Sequence, residues 1–184
     1  MPTAVGWGED EAMQWRSSRS AGPNLRRRLL GGALAGAAGT VALNVVTYLD
    51  MAARGRSASK TPAKTAGELS RRAGIDLAAT NDKDADKKTA RNRRQALGAL
   101  LGYVTGVGVG MAYGAARPRL GAVAPPVAAT GLGLAAMAGS DVPATALGVT
   151  DPRQWSMSSW ASDIVPHLAY GLVVASAYDA VHAT

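Results

Sequence analysis

Five glycines recur at four-residue spacing within one uncharged stretch: Gly98, Gly102, Gly106, Gly110 and Gly114. On a helix that spacing makes a nearly continuous groove free of side chains. In water each glycine would cost a helix roughly 1 kcal/mol relative to alanine. In a bilayer the same residues let another backbone approach, and close packing is what holds membrane helices together. The stripe therefore predicts an all-α integral membrane protein whose helices pack as a glycine zipper.

The hydropathy pattern places four transmembrane helices around that stripe. Leu29 to Leu49 carries no charge and is long enough to cross about 30 Å of hydrocarbon. Residues 95–116 and 120–140 are two further uncharged runs, and 163–181 forms a fourth span with polar ends. A mobile tail, residues 1–28, precedes the first span, because its Gly, Ser, Arg and acidic residues show no periodicity. Arg117-Pro118-Arg119 reads as a tight turn, and Pro125-Pro126 as a kink or the effective start of the third span.

About half of the Lys, Arg, Asp and Glu residues fall in the 50–94 loop. Thr61-Pro62 reads as a helix cap followed by proline, and Gly74 as the stop, giving a short surface-lying helix over 62–73. From Asp84 onward acids precede bases, as a helix dipole favours, and that helix should run into the second span. The 141–162 segment reads as an interfacial loop bearing Trp155 and Trp160, with Asp151-Pro152 as another cap. A basic run directly before a span fits contact with anionic lipid. Without interleaved aromatics, it gives no reason to expect nucleic acid. The positive-inside rule puts the 50–94 loop in the cytoplasm, although Arg26-Arg27-Arg28 makes both ends of the first span basic. Those arginines also leave open a cleavable twin-arginine signal, against which stand the length of the apolar run and the lack of a small-x-small site.

Candidate chemistry is sparse. Gly32 and Gly36 continue the period-four theme on the first span, followed by Thr40, Asn44 and Tyr48. Asn44 reads as interhelical glue facing the Gly98–Gly114 groove, or alternatively as a substrate contact. On the fourth span Asp163 and His167 lie one turn apart with Tyr170 beside them. Ionisable groups in a membrane invite a functional reading, so Asn44, Asp163, His167 and Tyr170 form a candidate polar path for protons or solute. The alternative is that Asp163 caps the helix and His167 sits at interface depth. Gly131-Leu-Gly133-Leu-Ala-Ala136 matches a dinucleotide fingerprint but lacks the strand that motif requires. Gly131, Ala135 and Gly139 read instead as another small-residue packing face. The absence of cysteine excludes disulfides, thiolate metal sites and cysteine nucleophiles. No catalytic motif occurs, so neither an enzyme nor a cofactor or metal is expected.

The segment Gly148-Val-Thr-Asp-Pro-Arg-Gln-Trp155, through Trp160, Asp163, Pro166-His167 and Tyr170-Gly171, resembles the YagU-type family of bacterial inner-membrane proteins. The likeness covers about half the chain, and the long charged 50–94 loop and the N-terminal tail depart from it. It implies a multi-pass protein of the bacterial cytoplasmic membrane with no known enzyme class. The expected function is that of a non-enzymatic module acting by helix association, as a homo-oligomer or with a partner membrane protein. The alternative is a small proton- or solute-handling transporter or channel.

Overall fold

The computed structural model describes residues 21–78 and 83–182, and the helices are α1 (Ala21–Arg54), α2 (Thr61–Arg72), α3 (Lys83–Ala116), α4 (Pro125–Ala146) and α5 (Met157–His182). Short 3-10 turns at Arg117–Arg119 and Pro152–Gln154 complete the regular structure, which contains no strand among the described residues. Among the described residues, three helical segments are long and apolar enough to cross a membrane: Asn24–Arg54, Lys87–Arg119 and Met157–His182. The α4 helix is not among them, because glycines, Asp141 and Pro143 dilute its alanine, leucine and valine.

α1, α3, α4 and α5 run antiparallel in sequence order. At one end, the Arg28 carbonyl meets Gly114 and the His182 ring meets Gly31. At the other end, Arg54 of α1 reaches Ser158 and Ser162 at the start of α5. α1 packs on both α3 and α5, and α4 packs chiefly on α5 and more lightly on α3.

The packing is inverted relative to a water-soluble bundle. Small and aromatic residues dominate the interior, with Ala35, Ala136, Tyr170 and Tyr178 buried alongside Leu132 and Val174. Large aliphatic side chains point outward, as Leu34 at 64% exposure and Val104 at 69% illustrate. A soluble protein rarely leaves so many large apolar groups on the outside, whereas lipid accepts them without cost.

Several boundaries differ from those read in the sequence. Helix α1 already begins at Ala21, upstream of Leu29, while residues 1–20 of the expected tail lie outside the described residues. Thr61 is the first helical residue of α2 and not its cap; Lys60 occupies the cap position without a side-chain bond. Gly74, at φ 71°, follows the end of that helix in the left-handed region glycine favours. Helix α4 begins at Pro125, where proline is tolerated because the first amides need no partner, and passes through Pro143 to Ala146. Asp141 is therefore a helical residue and not the first of a loop, and the connection to α5 narrows to 147–156.

At 34 residues α3 is about 51 Å long, well beyond the roughly 30 Å of a hydrocarbon core. Its N-terminal third extends past the bundle, and α2 packs along it. Pro62 sits against Gly98 and Arg94 against Gly67, so α2 runs antiparallel to α3. The short helix is thus one arm of a helical hairpin.

Candidate functional site

Two seams bring together the residues that the sequence singles out. The first joins α1 to α3. A methyl group built on Gly36 would stand 2.5 Å from the Gly106 carbonyl oxygen, and one on Gly110 would stand 2.7 Å from the Gly36 Cα. Gly32 likewise faces the Gly110 carbonyl. Such approaches of backbone to backbone exclude any side chain, which is the physical reason for glycine at Gly32, Gly36 and Gly110. Thr40 closes the row: its hydroxyl donates to the Gly36 carbonyl at 2.8 Å and abuts Gly106.

The stripe on α3 is shared among partners. Gly106, Gly110 and Gly114 face α1, whereas Gly98 faces Pro62 of α2 with a methyl-to-carbon spacing of 2.6 Å. Gly102 has open space beside it. Asn44 is half-buried on α1, and no hydrogen bond joins its side chain to Asp163, His167 or Tyr170. Tyr170 is fully buried and spends its hydroxyl on the Gly106 carbonyl at 2.6 Å. About two turns further along, Tyr178 does the same to the Gly114 carbonyl at 3.3 Å. These tyrosines tie α5 to α3 across α1.

The second seam joins α4 to α5. A methyl on Gly133 would lie 2.7 Å from the His167 carbonyl oxygen, and one on Gly171 would lie 2.6 Å from the Gly133 amide nitrogen. The working glycine of α4 is therefore Gly133. Gly131 faces open space, and Gly139 meets the Thr105 methyl of α3, so the Gly131–Ala135–Gly139 face expected from the sequence is not the one packed on α5.

This seam holds the ionisable groups. The His167 side chain is 13% exposed, with Nδ1 at 2.8 Å from the Asp163 carbonyl oxygen and 3.5 Å from its carboxylate Oδ1. The Asp141 carboxyl of α4 comes within hydrogen-bonding reach of the Asp163 carboxyl. Asp163 does not cap its helix, since α5 begins at Met157 and the Ser156 hydroxyl accepts from the Ser159 amide. Sequence reasoning missed Asp141 because the third span was ended with the uncharged run at Ser140. The available signal was the continuation of apolar residues, Val142 and Ala144, beyond it. No group of three or more His, Asp or Glu side chains among the described residues is placed to hold a metal ion.

At the same end of the bundle, Arg54 bonds to Asp50 at 2.6 Å, to Ser158 at 2.6 Å and to Ser162. Trp155 and Trp160 stack at a tilt with centroids 5.0 Å apart, and the Trp155 indole donates to the Thr150 hydroxyl. Outside the apolar spans, Glu68 of α2 is flanked by Arg71 and Arg72, whose hydrogen bonds hold its carboxyl down to about 2. No family model, curated protein or solved structure matches the chain.

Proposed function

We propose that the chain is a four-span, non-enzymatic membrane module that works by helix association, with itself or with a partner membrane protein. The observation that carries this reading is the inverted packing, glycine and alanine inside with leucine and valine outside. The antiparallel order supports counting α4 as a span, because α4 alone connects the end of α3 to the start of α5. Its 22 residues cover about 33 Å, enough to cross. Gly108 remains open and exposed in one i, i+4 row with Leu100 and Val104, which supports a further helix packing on α3.

The basic hairpin of α2 and the start of α3 supports contact with anionic lipid through Lys60, Lys64, Lys87, Lys88 and Arg91. The YagU-type resemblance supports a bacterial cytoplasmic membrane location. Replacing Gly108 with leucine should lower self-association in membranes without unfolding the monomer. Unchanged cross-linking and oligomer size would count against association through this face. Labelling single cysteines at Ser59, Ser158 and Arg117 in intact cells tests the span count: the first two should share a side and Arg117 should lie opposite.

A transporter or channel is the second reading, favoured by one observation: Asp141, Asp163 and His167 meet in a single interhelical seam. It requires proton- or solute-coupled flux in proteoliposomes that is lost in His167→Ala. Equal flux from wild type and variant would exclude it.

A further inference from the structure

Gly133 packs on the His167 carbonyl and Gly171 on the Ala129 carbonyl, and this antiparallel register brings the Asp141 carboxyl of α4 within hydrogen-bonding reach of the Asp163 carboxyl of α5. Each has a buried oxygen, Oδ2, without a hydrogen-bond donor. Two carboxylates so placed would repel one another and leave two acceptors unsatisfied in a water-poor interface. One proton between them converts that conflict into a donor and an acceptor, and both orphaned oxygens are then served by a single hydrogen bond.

The other groups facing the pair can be named from each packed element. On α5, His167 lies beside Asp163, its Nδ1 directed to the Asp163 backbone carbonyl at 2.8 Å. That ring nitrogen donates to the carbonyl in the neutral imidazole, so no proton from His167 is needed to hold its place. On α4, the Ser140 hydroxyl is adjacent to Asp141 and bonds back to the Met137 carbonyl at 2.9 Å. On α1, the nearby cation Arg54 is occupied by Asp50, Ser158 and Ser162. On α3, the group presented to this stretch of α4 is the Thr105 methyl, against Gly139.

We propose that Asp141 and Asp163 share one proton and that this bond is a pH-sensitive clamp between the C-terminal end of α4 and the start of α5. Loss of the proton leaves two like charges in the seam and parts the helices at that end, while the glycine contact at Gly133 and Gly171 holds further along. The clamp stands whether or not the chain transports anything, and it goes beyond association through the open face of α3.

The test is infrared difference spectroscopy on the full chain in lipid vesicles, following the carbonyl stretch of protonated carboxylic acid across a pH titration. In wild type that band should persist at neutral pH and vanish on alkalinisation. It should be absent at neutral pH in both Asp141→Asn and Asp163→Asn, because the remaining carboxylate can accept from the introduced amide, and it should survive in His167→Gln. Spin labels at the exposed positions Val142 and Val165 supply a second readout, with a separation that grows as the wild-type band disappears. Absence of the band in wild type at neutral pH overturns the shared proton. So does its survival in one asparagine variant, which would place the proton on a single acid. Its displacement by sodium at constant pH overturns it in favour of a cation site. A band that titrates while the label separation stays fixed overturns the clamp.

Discussion

The Tyr170 hydroxyl donates to the Gly106 carbonyl at 2.6 Å, from a side chain with no exposure at all. The bond crosses the α1–α3 seam at the level where Gly36 meets Gly106, so a close backbone approach and a fully buried hydrogen bond coincide. Within α3 the Gly106 carbonyl also accepts from the amide one turn on, so removing the tyrosine hydroxyl leaves it only partly unsatisfied. Tyr170→Phe should cost about 1 kcal/mol, and Tyr170→Ala about 3–5 kcal/mol because it opens a cavity as well. Equilibrium unfolding in mixed detergent, followed by circular dichroism, separates the two. Equal losses would mean that the hydroxyl, and not the ring, holds α5 to α3.

The glycines should divide sharply under alanine substitution. Gly36→Ala and Gly110→Ala force backbone against backbone and should each destabilise by roughly 1–3 kcal/mol. Gly102→Ala and Gly131→Ala add a methyl to open space and should stay within about 0.5 kcal/mol. The same unfolding assay measures all four. A uniform response across the set would mean that helix propensity, not close approach, decides the cost.

How much of this was legible beforehand follows from what each signal depends on. The all-helical class and the apolar runs were readable, because length and charge distribution are properties of the sequence alone. Which glycines touch was not readable, since period four drifts around a 3.6-residue helix and hands successive glycines to different neighbours. Gly98 consequently faces α2, Gly106 to Gly114 face α1, and Gly102 faces none. The Asp163–His167 pair was visible as a one-turn spacing on one helix. Asp141 was not, because its proximity arises from α4 folding back on α5 and because the third span was read to end with the uncharged run at Ser140. Tyr170 stood beside His167 in the sequence, yet its hydroxyl is committed to α3.

Arg54 fastens the end of α1 to the first turns of α5 through Ser158 and Ser162, with Asp50 and Arg56 completing the cluster. The group is partly exposed, and ion pairs of that kind are worth about 0.2–1 kcal/mol. Arg54→Met should therefore change global stability little while loosening this corner. Amide hydrogen exchange should rise over 51–54 and 157–162 and stay unchanged around Tyr170. A rise spread over the whole of α5 would show that the corner holds the entire helix in place.

Acid should act on α2 through Glu68. Arg71 Nη2 lies 2.6 Å and Arg72 Nε 2.9 Å from its Oε1, and these hydrogen bonds lower its pKa from 4.5 to about 2. A lowered carboxyl takes up its proton more readily when the helix is unfolded than when it is formed. The stabilisation is therefore complete above about 4.5 and drains away as pH falls through about 2. The carboxyl carbon shift of Glu68 should titrate with a midpoint far below 4.5. In Arg71→Gln combined with Arg72→Gln the midpoint should return toward that ordinary value. An ordinary midpoint in the wild type would mean that the guanidiniums are solvated and free to meet anionic lipid, with Glu68 left out of the pairing.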